Sequence, residues 1–180
     1  MILNALETAL SRIDWDFATP SRIDYSGVEP HEIAAQKWQE RVFAYVLYHQ
    51  LRVLWNGNRE LRDHCIIHTE VRKHYQKIAG FDYMPDFLFH LPQPGQNYAV
   101  AEVKLASRGD RDIRADLKKL VRFRTELGYN DLIEILVGNH SDLQRIRETL
   151  RGGAGIPIHL FCLSNVSEPP THEIIHYQNA

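Results

Sequence analysis

The stretch NYAVAEVKLA, residues 97–106, decides the reading of this chain. Its alternation predicts a strand. Side chains two apart share a face, so Glu102 and Lys104 lie on one side with Tyr98 and Val100. Ala99, Ala101, Val103 and Leu105 face the other side. Charged residues inside a strand otherwise built for burial are costly unless they pair or bind a metal.

Working outward, MPDFLFHL (84–91) predicts a second strand with Pro85 among its first residues, and PQPGQ predicts the turn between the two. Sixteen positions separate Asp86 from Glu102, a spacing that fits a hairpin. Asp86, Glu102 and Lys104 are then expected to converge at one sheet edge. HCIIHTEVRKHY (64–75) reads as the strand before them. Ahead of it runs one long helical pattern, residues 31–56, between Pro30 and Gly57. On it Glu40 falls in phase with Ile33, Ala44, Leu47, Leu51 and Leu54, which puts a carboxylate on an apolar face.

After the central strand, DRDIRADLKKLVRFRTEL (110–127) is an amphipathic helix. Ile113, Leu117, Leu120, Arg124 and Leu127 are in phase, and Gly128 ends it. LIEILVGN (132–139) is a buried-type strand, SDLQRIRETL (141–150) a helix with Ser141 as its cap, and IPIHLFCLS (156–164) another strand. A short helix over 2–12 opens the chain, followed by an irregular segment marked by Pro20, Gly27 and Pro30. The end, from Ser167, carries no clear pattern. A three-strand meander followed by alternating helices and strands predicts an α/β fold whose mixed central sheet is flanked by helices on both faces.

The 180 residues make one domain, 1–180, able to bury roughly 70% of its unfolded surface. The 44% hydrophobic and 24% charged content argues against disorder. No apolar run approaches the ~20 residues of a membrane span, and the first residues carry Glu7, Asp14 and Asp16 where a signal peptide would be basic and apolar. The two cysteines, Cys65 and Cys162, suit a reducing compartment, and the expectation is a cytoplasmic protein. The net charge of -2 conceals segregation: residues 41–77 hold seven basic and three acidic side chains, and residues 104–124 hold eight and three. Two positive stretches on an otherwise acidic chain suggest a polyanion-binding face. Among the ten histidines no zinc-like pairing with cysteine occurs, and Gly152-Gly153-Ala154-Gly155 precedes a strand, which is not the place of a phosphate-binding loop.

Pro85-Asp86 and Glu102-Val103-Lys104, in this order of elements, resemble the PD-(D/E)XK nuclease superfamily. The resemblance implies the restriction-endonuclease-like fold, an αβββαβ core over about 31–139, elaborated by the N-terminal segment and by a further helix and strand at the C-terminal end. The helix over 110–127 lacks the Gln-x-x-x-Tyr signature of one exonuclease branch, so endonuclease chemistry is the expectation.

Phosphodiester hydrolysis needs a Lewis acid, an activated water and a stabiliser of developing charge. Asp86 and Glu102 are hard ligands suited to Mg²⁺ or Mn²⁺. The resemblance adds the Val103 carbonyl to the metal site and Glu40 as an acid on the first helix. It makes Lys104 the catalytic cation that orients water or steadies the transition state. Glu70 competes with Glu40 for the auxiliary acid. Arg108, Arg111 and Lys118 follow the motif directly and are candidates for DNA phosphates, with Arg72 and Lys73 extending the groove. Residues 1–30 and 140–180 are left to supply substrate choice or the contacts of a homodimer. Two other readings compete: a non-enzymatic nucleic-acid-binding or assembly subunit on the same fold, and a protein-interaction module in which Asp86 and Glu102 bind no metal.

Overall fold

The computed structural model describes residues 1–14, 40–69, 83–92, 96–150, 154–164 and 168–178. Glu70, Arg72 and Lys73 lie outside these residues, as do the stretch 31–39 of the expected long helix and Gly152 and Gly153. The chain is α/β. Its elements are α1 (Ile2–Leu10), α2 (Glu40–Gly57), α3 (Arg59–His64), β1 (Ile66–Thr69), β2 (Phe87–His90), β3 (Asn97–Leu105), a 3-10 turn (Ala106–Arg108), α4 (Asp110–Leu127), β4 (Asp131–Gly138), α5 (His140–Leu150), β5 (Ile156–Ser164) and β6 (Thr171–Tyr177).

The six described strands form one mixed sheet in the order β1-β2-β3-β4-β5-β6. β1, β2 and β3 are an antiparallel meander, β4 joins β3 in parallel, β5 joins β4 in parallel, and β6 returns antiparallel. Each face carries a helical layer. α1 and α2 cover the side to which Phe87, Ala99, Ala101, Val103, Leu105, Ile133 and Ile135 point. α4 and α5 cover the other, with Leu88, Val100, Leu132, Leu136, Leu160 and Ile175. The alternation of β3 therefore feeds two cores, one per face. α4 docks through Ile113, Leu117, Leu120, Val121 and Phe123; Arg124, in phase by count, is exposed. Gly128 closes α4 at φ 72°, a left-handed conformation that glycine adopts without cost.

Several boundaries differ from expectation. The strand expected over 64–75 begins at Ile66, because residues 59–64 are a helix. The Asn58 side chain accepts the Leu61 N–H at 3.2 Å and Arg59 pairs with Asp63 one turn on, so a short polar run is capped into helix. β2 begins at Phe87, leaving Pro85 and Asp86 just before it. α5 starts at His140, and its cap is the Asn139 side chain, which accepts the Asp142 N–H at 2.8 Å; Ser141 donates to that same oxygen. Tyr98 does not share the face of Glu102. The β2–β3 register shifts between Phe89 and His90, and Tyr98 packs with the α1–α2 layer. β6 fills a stretch that carried no clear pattern. Both cysteines are buried free thiols, and among the described residues no helix is long and apolar enough to cross a membrane.

Candidate active site

Three elements bring charged groups to the end of β3. Asp86, held just ahead of β2, turns its carboxyl to the neighbouring strand, where its Oδ2 accepts the Val103 N–H at 2.7 Å. That bond seats Asp86 between Glu102 and Lys104. Pro85 has no N–H to compete for ladder pairing, which suits the chain ahead of a strand. Glu40 arrives from the first turn of α2. It takes the Lys104 ammonium at 3.3 Å, the Leu105 N–H at 3.4 Å and the Arg108 guanidinium at 3.4 Å. The carboxylate read on an apolar stripe thus has partners at the strand exit.

The third contribution comes from α4, through two residues that sequence reasoning missed. Asp116 holds the Lys104 ammonium at 2.9 Å, and Lys119 holds Glu102 Oε1 at 2.7 Å. Lys118, expected to reach the site, is exposed; one residue further along the helix the side chain swings onto the sheet. The signal was available. Asp116 and Lys119 lie three residues apart beside the apolar positions Ile113, Leu117 and Leu120, so α4 carries charge at the margin of its buried stripe.

Glu134 is the other residue missed. It lies on β4 in register with Glu102, is 0% exposed, and neither of its carboxyl oxygens has a hydrogen-bond partner among the described residues. The signal here was a carboxylate in the middle of LIEILV, a run otherwise wholly apolar.

Electrostatics follow from this crowding. Burial pushes the Glu102 carboxyl up to about 8, against the opposing pull of the Lys119 ammonium, while the Asp86 charge adds to the rise. Asp86 is raised as well, chiefly by burial, with its Val103 hydrogen bond and the two lysines pulling it back. Glu134 stands well above the ordinary carboxylate range because it is buried and faces the charges of Asp116 and Glu102. Burial alone would lower the Lys104 ammonium, but Asp116 and Glu40 outweigh it and keep it firmly charged.

The basic side chains divide. Arg108 sits at the strand exit, 60% exposed, while Arg111 and Lys118 are exposed on α4. Arg114 donates to the Thr149 carbonyl at 3.5 Å. Arg122 is committed to Glu126 and lies over the Tyr83 ring, 4.9 Å from its centroid. The positive stretch is thus partly spent inside the protein. Among the described residues no three His, Cys, Asp or Glu side chains are arranged to hold a metal ion. No family model, curated protein or solved structure matches the chain.

Proposed function

We infer that the chain is a divalent-metal-dependent nuclease that hydrolyses phosphodiester bonds in DNA, built on a restriction-endonuclease-like core. The observation that carries this reading is the hydrogen bond from the Val103 N–H to Asp86. It brings a carboxyl from ahead of β2 to the backbone between Glu102 and Lys104, the constellation that metal-assisted hydrolysis needs.

The donor set suits a hard ion. Mg²⁺ keeps several waters and takes one or two carboxylates together with substrate phosphate oxygens, so Asp86 and Glu102 suffice without a third protein carboxylate. The Val103 carbonyl is the further oxygen offered between them. Such an ion, when bound, lowers the pKa of its water and neutralises phosphate charge. Lys104, kept charged by Asp116 and Glu40, steadies the attacking water or the charge that develops on the phosphate. Glu40 acts on that lysine and on Arg108, which makes it a positioning residue. Arg108, Arg111 and Lys118 would hold flanking phosphates.

The decisive experiment incubates the protein with plasmid, linear, single-stranded and branched DNA in Mg²⁺, Mn²⁺ or EDTA. Cleavage that EDTA abolishes is the expected result. A folded protein that cuts none of these with either metal overturns the reading. A second reading, a DNA-binding or assembly subunit, draws on the Lys119–Glu102 and Lys104–Asp116 pairs, which neutralise carboxylates with no ion. It predicts salt-sensitive DNA binding without cleavage.

A further inference from the structure

Glu134 is fully buried, and among the described residues neither of its carboxyl oxygens finds a hydrogen-bond partner. A buried carboxylate without a partner loses its hydration and gains nothing in return, at several kcal/mol by order of magnitude. Its surroundings deepen the problem. Glu102 is its lateral neighbour on β3, and adjacent strands lie about 4.8 Å apart, so the two carboxyls stand side by side on the face that α4 covers. Asp116 of α4 and Asp86 also act on it electrostatically. With Glu40, which shares Lys104 with Asp116, the cluster holds five carboxyls against the ammoniums of Lys104 and Lys119 and the guanidinium of Arg108. With every carboxyl ionised the formal balance is two negative charges; in the metal-free protein protons on the raised Glu102 and Glu134 carboxyls relieve it, and one divalent cation would take their place.

The two lysines are distributed unevenly. Lys104 serves Asp116 and Glu40, and Lys119 serves Glu102; among the described residues no cation makes a hydrogen bond to Glu134, and the Lys104 charge acts on it only through space. An apolar residue there would extend the packing of Leu132 and Leu136. A carboxyl placed there instead makes sense as part of a charge-compensated site.

We propose that Glu134 is a further carboxylate of the cation site, paired with Glu102 across β3 and β4, and that the ion takes the place which the Lys119 ammonium holds on Glu102. The proposal rests on the nuclease reading for the identity of the ion, a hard divalent cation. It goes beyond that reading in assigning Glu134 to the ion and Lys119 to the role of its stand-in. Lys119 is then the group that keeps the metal-free site intact. Two oppositely directed effects follow. Removing the Glu134 charge weakens the ion's hold, and removing the Lys119 charge strengthens it by taking away a competitor.

The test measures Mn²⁺ binding to the full chain by electron paramagnetic resonance of the free ion, together with the shift in melting temperature that Mn²⁺ produces. Glu134→Gln should weaken Mn²⁺ binding at least tenfold and shrink the melting shift, while Lys119→Met should bind Mn²⁺ more tightly than wild type. Unchanged Mn²⁺ affinity in Glu134→Gln overturns the proposal. Should that variant fail to fold, Lys119→Met decides alone: affinity no tighter than wild type overturns it. Absence of Mn²⁺ binding by the wild-type protein overturns it as well. The DNA assay is scored separately. Mn²⁺ binding that depends on Glu134, without cleavage of any DNA, retains the inference and removes the nuclease. Cleavage with Mn²⁺ affinity indifferent to Glu134 does the reverse.

Discussion

Glu102 and Glu134 occupy matched positions on the parallel strands β3 and β4, two buried carboxyls on the same face of the sheet. Like charges so placed in a low-dielectric interior repel strongly, and only a cation or a proton lets both remain. In the metal-free protein Lys119 relieves one of them. The pair sets the terms for the chemistry around it.

Asp86 both binds the Val103 N–H and carries charge, and two substitutions separate these roles. Asp86→Asn retains an oxygen for the N–H and removes the charge; Asp86→Ala removes both. Both variants should lose Mn²⁺ binding and cleavage, and only the alanine variant should also lose about 1 kcal/mol of stability in urea denaturation. Lys104→Ala should keep metal and DNA binding and lose roughly 10²–10³-fold in rate, the range for removing a preorganised stabilising group. Full cleavage by Glu102→Ala with wild-type metal dependence would falsify the assignment of the site.

DNA affinity should fall steeply with salt, because each neutralised phosphate releases counterions and adds about 0.9 to the logarithmic slope. Replacing Arg108, Arg111 and Lys118 with alanine should weaken binding and flatten that slope. Arg122 is held by Glu126 and Tyr83, so Arg122→Ala should leave the slope unchanged. Fluorescence anisotropy across a salt series separates the two groups.

His159 supplies a pH dependence away from the site. Its ring Nδ1 lies 3.0 Å from His172 Nε2 at the β5–β6 edge. Burial holds its pKa below the ordinary 6.5, the nearby His172 pushes the same way, and Asp131 opposes both. The unfolded chain therefore binds a proton more readily than the folded one. The stability this group contributes is full above pH 6.5 and is lost as pH falls through 6.5 toward the depressed folded value. Melting curves between pH 8 and 5 should show the decline, and His159→Gln should make it shallower.

Gly138 ends β4 where the sheet meets the 3-10 turn after β3. A Cβ at this position would stand 2.9 Å from the Ala106 Cβ, closer than packed carbons tolerate. Gly138→Ala should cost roughly 1–3 kcal/mol, the usual penalty for overpacking. It should also lower cleavage, since the same turn carries Arg108 past Glu40. Urea denaturation and the plasmid assay read the two effects.

What was legible in the sequence followed from periodicity and punctuation. The helix Asp110–Leu127 was readable to its last residue because its apolar spacing and Gly128 agree, and Ile156–Ser164 because nine residues offered no helical alternative. The capped turn at 59–64 was not readable, because its helix depends on one Asn58 side-chain bond and carries little apolar pattern. β6 was lost for a related reason. On an edge strand His172, Ile174 and His176 face outward, so its pattern resembles that of a loop. Within the site, Glu102 and Lys104 were legible because strand alternation dictates their side of the sheet, and Asp86 because a hairpin brings the start of one strand beside the end of the next. Lys119 was not, because which of two neighbouring lysines turns inward depends on the rotational setting of α4 on its strands. That setting is decided by packing, not by the local sequence.

The order of the strands across the sheet is also their order along the chain. No strand has to enter between two that are already paired, and no finished ladder has to open for a later arrival. Each pairing closes only the loop or helix made since the previous one, so the entropy of ring closure is met in small steps. A nascent chain leaving the ribosome can lay the sheet down from one border to the other. The pairing of β3 with β4, which aligns Glu102 with Glu134, requires neither β5 nor β6 to be in place.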